Sequence, residues 1–146
     1  MTDTLEVAFE VACSATHAFA TWTERLGAWW PADHTISGGP DAIVLEGFVG
    51  GRIYERARGT EHEWGVVTTW QPPVRLGFRW HLGVGPERAT DVDVAFVPLG
   101  EHATRVRIEQ SGFERLGDVA ADARARNRTG WESLALHLRA AIERGE

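Results

Sequence analysis

Between residues 42 and 111 the chain runs through six strand-like segments with almost nothing between them. Ala42–Gly47, Arg52–Arg58, His62–Gln71, Val74–Leu82, Ala89–Pro98 and Thr104–Ser111 are separated by Gly50-Gly51, Gly59-Thr60, Pro72-Pro73, Gly83–Pro86 and Gly100-Glu101. These are turn-forming residues at hairpin spacing. A parallel crossover needs a dozen or more residues, so the sheet these segments build is antiparallel.

The flanks complete the pattern. Leu5, Val7, Phe9 and Val11 alternate with Glu6, Ala8 and Glu10, the period of a half-buried strand. Ser14 is a good N-cap for a short helix from Ala15 to Trp22, and a second helical turn at Leu26–Trp30 is stopped by Pro31. Gly117 to Arg144 contains no proline, and Trp131, Leu134, Leu138 and Ala141 form an apolar stripe at helical period. The order strand, two short helices, six strands, long helix predicts one α+β domain over residues 1–146. In it the C-terminal helix covers a seven-stranded curved sheet. One helix does not fill the concavity of so large a sheet, so a ligand cavity between them is expected.

Charge and composition narrow the function. The 43% hydrophobic and 25% charged residues are the balance of a globular domain. A net charge of −6 argues against nucleic acid as a partner, and no apolar run is long enough for membrane insertion. Met1-Thr2-Asp3-Thr4 carries no export signal and Cys13 is the only cysteine, so a cytoplasmic location is expected. The six histidines at 17, 34, 62, 81, 102 and 137 are scattered, and neither a metal site nor a cofactor is expected.

Parity assigns the inward faces. With Pro72-Pro73 as a hairpin tip, residues whose numbers sum to 145 pair, which places Val67, Leu76, Phe78 and Trp80 inside. Trp64 and Trp70 then lie outside beside Arg75, Arg79 and His81, a possible homodimer surface on the outer sheet face. Ile53 points inward, because the opposite choice buries Arg52 and Arg56, and Glu55 follows it. Val94 and Ile108 also face inward, and Ile108 carries Gln110 with it.

In chain order, Phe19, Trp22-Thr23, Trp29-Trp30-Pro31, Gly50-Gly51-Arg52, Trp64-Gly65-x-Val67 and Trp70-x-Pro72-Pro73-x-x-Leu76 are followed by Phe78-x-Trp80, Ser111-Gly112-Phe113 and Gly130-Trp131. This arrangement resembles the START-like (SRPBCC) superfamily, in its bacterial branch named after the activator of the heat-shock-protein ATPase. The resemblance runs over about residues 5 to 142 and implies a helix-grip fold. It also implies one of several activities: carriage of a small hydrophobic molecule, polyketide cyclisation or aromatisation, or a co-chaperone-like protein interaction.

The residues expected to line the cavity are Trp29, Trp30, Ile53, Glu55, Val67, Phe78, Trp80, Val94, Ile108, Gln110, Asn127 and Trp131. Glu55 and Gln110 are the candidates for acid–base chemistry, with Arg128 a further polar neighbour. A carboxylate in an apolar pocket either titrates high or finds an arginine, and one of these is expected of Glu55. Binding of a hydrophobic or aromatic ligand is the expected function, with a cyclase-type enzyme or an interaction module as alternatives.

Overall fold

A computed structural model describes residues 4–82 and 84–145. Met1, Thr2, Asp3 and the Gly83 step of the predicted Gly83–Pro86 turn lie outside the described residues. The strands are β1 (Leu5–Val11), β2 (Ala42–Leu45), β3 (Arg52–Ala57), β4 (Thr60–Gln71), β5 (Arg75–Trp80), β6 (Thr90–Gly100) and β7 (Ala103–Ser111). They form one antiparallel sheet in the order β1-β7-β6-β5-β4-β3-β2. The helices are α1 (Ala15–Glu24), α2 (Leu26–Trp29) and α3 (Ala120–Glu143). This is the predicted architecture, an α+β fold of the helix-grip type.

Local chemistry explains the boundaries. Ser14 Oγ accepts the His17 amide at 3.1 Å, the cap that starts α1. α3 begins three residues later than its composition suggests. Gly117, at φ 63°, breaks the 3-10 segment Phe113–Val119 that precedes it. Ala123, Trp131, Leu134, Leu138 and Ala141 bury the inner face of α3. β1 is an edge strand, and α3 covers its free edge: Arg128 and Arg139 donate to Glu6 O and Glu10 O, and Arg124 to Thr4 O just before the strand.

Two bulges correct the expected faces of β4. The predicted register holds for Gly65 with Trp80, Val66 with Arg79 and Val67 with Phe78, then slips one residue at Thr68. Trp70 therefore pairs with Leu76 rather than Arg75, and its ring meets Phe19 edge-on at 5.2 Å. On the other side of β4, Ile53 pairs with Gly65 and Tyr54 with Glu63, so Trp64 is an extra residue. The bulge turns Trp64 into the core, where it is 0% exposed against Trp30 and Trp80. The outer face expected to form a dimer surface thus lacks both indoles. It carries ion pairs instead, among them Arg75–Asp93 at 2.8 Å and Arg115–Asp91 at 2.9 Å.

Candidate functional site

The concave side of the sheet is packed with aromatic rings. Trp22, Trp29, Trp30, Trp64, Trp80 and Trp131 touch one another in a chain with centroid separations between 5.1 and 6.4 Å. Trp80 and Trp131 meet at 5.9 Å, as their inward parity predicts. Because indoles fill most of the concavity, the open space is displaced to one flank of α3. There a cleft of about 670 Å³ lies between α3, the segment around Trp30 and His34, and the end of β5 at Trp80 and Leu82. Ala125, Arg126, Asn127, Thr129, Gly130 and Ser133 of α3 complete its wall.

Of the twelve expected lining residues, Trp30, Trp80, Asn127 and Trp131 border this cleft. Gln110 borders a smaller adjoining pocket of about 230 Å³, shared with Trp80 and Asn127. Trp29, Ile53, Glu55, Val67, Phe78, Val94 and Ile108 are buried within the core behind these walls. Thr129, Gly130 and Ser133 were not among the expected residues. The signal for them was Gly130, a helix-interior glycine costing about 1 kcal/mol against alanine. A Cβ on Gly130 would meet nothing within 4 Å, so its missing side chain widens the cleft.

Glu55 takes neither of the two courses expected of it. It is 0% exposed, yet it has no arginine partner. Its oxygens accept from Ile36 N at 2.6 Å, Ser37 N at 2.9 Å and Trp64 Nε1 at 2.8 Å. Burial pushes the carboxyl up, but the Ser37 hydroxyl, these two amides and the indole together outweigh it and hold the group below its ordinary range. Glu55 is thus an ionised tether that ties the 32–41 loop to β3, and it does not border the cleft.

Gln110, 1% exposed, points inward as its strand parity requires. Its Oε1 accepts from Trp131 Nε1 at 2.8 Å, and its Nε2 donates to Thr90 Oγ1 at 2.8 Å and Asn127 Oδ1 at 3.3 Å. Asn127 donates in turn to Ala123 O at 2.7 Å. The side-chain amide therefore rivets α3 to β6 and β7 and fixes the Trp131 ring at the cleft. Among the described residues, no buried side-chain nitrogen or oxygen lacks a hydrogen-bond partner.

One residue of the cleft wall, His34, is bonded to a carboxylate that lies outside the lining. His34 Nδ1 lies 2.8 Å from Asp33 Oδ1, and this bond keeps the Asp33 carboxyl below its ordinary range. Cys13 does not border the cleft, and burial pushes its thiol up, away from the reactive thiolate. Among the described residues, no helix is long and apolar enough to cross a membrane.

Three solved structures illustrate what the chain is similar to. The anthrahydroquino-γ-pyrone synthase Txn09, solved as a complex with SUM, is 33% identical, with 84% of this chain and 86% of that one covered and a TM-score of 0.58. CalC from Micromonospora echinospora, a self-sacrificing resistance protein, is 26% identical over 97% and 95% of the chains, with a TM-score of 0.77. The Aha1 dimer from Colwellia psychrerythraea is 20% identical over 100% and 99%, with a TM-score of 0.71. No curated protein matches the chain. The family model described as Activator of Hsp90 ATPase homolog 1-like protein matches residues 12–143, and with the helix-grip fold and the aromatic cleft in place, the chain belongs to that family of START-like (SRPBCC) domains.

Proposed function

We propose that the protein binds a small hydrophobic or aromatic molecule in the cleft beside α3. The observation that carries this reading is the wall itself: Trp30, Trp80 and Trp131 converge on a space of about 670 Å³, a volume typical of small-molecule sites. The Trp131 and Trp30 indole N–H groups already donate to Gln110 Oε1 and His34 O. Both rings therefore offer a ligand apolar faces rather than donors, which suits flat or greasy molecules. Trp30, Trp80, Asn127 and Trp131 touch the ligand in this reading, and Gln110 holds the wall from behind.

Native mass spectrometry tests it. The purified protein is expected to carry a small molecule at one copy per chain, or to take up N-phenyl-1-naphthylamine at that ratio. Gly130→Trp, which fills the cleft from open space, should abolish the adduct while leaving the fold intact. An adduct that survives Gly130→Trp would contradict the cleft as its site.

A second reading, an enzyme acting on a polyketide-like substrate, is favoured by the 33% identity to a synthase. The group available for proton transfer would be His34, oriented by Asp33 at 2.8 Å. His34→Asn separates the two readings: it should leave binding unchanged in a carrier, and abolish conversion without abolishing binding in an enzyme.

A further inference from the structure

We propose that the ligand of this site is an aromatic anion, its rings in the cleft and its acidic head between Arg88 and Arg126. The proposal rests on the ligand-binding reading above and adds the chemical class. The 230 Å³ pocket opens beside the aromatic cleft, and the two share Trp80, Leu82, Arg126 and Asn127. Arg88, from the turn Pro86–Arg88, borders the smaller space together with Arg126 of α3.

What sets these two arginines apart is their place: Arg25, Arg58 and Arg107 also lack a side-chain partner among the described residues, but they line neither space. Arg52, Arg56, Arg75, Arg79, Arg105 and Arg115 are each paired with a carboxylate. Arg124, Arg128 and Arg139 are spent on the carbonyls of Thr4 and of β1. The guanidinium groups of Arg88 and Arg126 make no hydrogen bond or ion pair with any described residue. Neither lining contains an aspartate or glutamate, although the chain has 21 acidic residues against 15 basic ones. Of the nearby acids, Glu63 lies 3.0 Å from His81 and Asp33 bonds His34, while Glu87, next to Arg88, and Asp122, one turn before Arg126 on α3, line neither space.

Two guanidinium groups with no carboxylate in either lining, beside an apolar wall, form a site with a defined complement. The planar fork of arginine matches a carboxylate or a similar acidic group in bidentate fashion. A neutral ring system uses only the cleft; an aromatic acid uses both spaces.

Two fluorescent probes with the same ring system isolate the head group. 1-Anilinonaphthalene-8-sulfonate carries an anion, and N-phenyl-1-naphthylamine lacks it. Wild-type protein should bind the sulfonate more tightly. The double variant Arg88→Gln/Arg126→Gln should weaken the sulfonate by about tenfold or more, the scale of a lost charge-assisted hydrogen bond, and leave the neutral probe unchanged. Arg107→Gln, on the outer face, should alter neither. If the neutral probe binds and the double variant moves both probes equally or neither, the anion site is wrong while the cleft stands. If neither probe binds wild-type protein, both proposals fall.

Discussion

Glu55 shows how a buried carboxylate is kept ionised without a cation. Two amides of the 32–41 loop and one indole point at it, and the loop is thereby held against the sheet. Glu55→Gln replaces an acceptor by a group whose NH₂ faces those same donors. A loss of about 1–3 kcal/mol is expected, the range for an unsatisfied buried polar group, measurable by urea unfolding at neutral pH. Because the folded protein holds this proton more weakly than the unfolded chain, the stabilisation is complete above the ordinary Glu pKa of about 4.3. It fades as pH falls through the lower folded-state value. The stability gap between wild type and Glu55→Gln should therefore narrow on acidification below about pH 4; a gap that widens there would contradict an ionised Glu55. Strand parity was sufficient to place this side chain inside. Its partners were not legible, because they come from a loop eighteen or nineteen residues away in sequence whose path no periodicity describes.

β4 marks the limit of pattern reasoning at the level of elements. Its alternation and its Pro72-Pro73 tip lead to the correct pairing over Gly65, Val66 and Val67. The bulges at Trp64 and Thr68 answer to the neighbouring strands rather than to anything in the strand's own composition, so the faces of Trp64 and Trp70 were hidden. The pairing sum sets Gly65 opposite Trp80, and the structure gives a backbone reason for the glycine: a Cβ there would collide with the Arg79 carbonyl oxygen. Gly65→Ala should lower stability by about 1–3 kcal/mol, read as a fall in Tm, and an unchanged Tm would mean the strands can part at no cost. On α3, Trp131→Ala removes a ring packed against Trp22, Trp30 and Trp80 and strands the Gln110 oxygen. A loss of about 3–5 kcal/mol is expected by chemical denaturation; a loss under about 1 kcal/mol would place the ring at the surface.

For the molecule as a whole, hairpin spacing and one amphipathic segment were enough to define a sheet wrapped on a helix. The position of the cavity was less legible. Volume is what remains after side chains pack, and six indoles meeting on the concave side leave that remainder on the flank of α3 rather than at the centre. Hence Ile53, Val67, Phe78, Val94 and Ile108 back the wall, while Gly130 and Ser133 of the helix form it. The central claim is that small aromatic molecules enter this flank. Titrating ¹⁵N-labelled protein with N-phenyl-1-naphthylamine and following its amide and indole N–H resonances tests the claim most directly. The account predicts saturable shifts confined to residues 125–134, His34, Leu82 and the Trp30 and Trp80 indoles, with the outer face of β6 and β7 silent. Shifts centred on that outer face, or none at saturating probe, would contradict it.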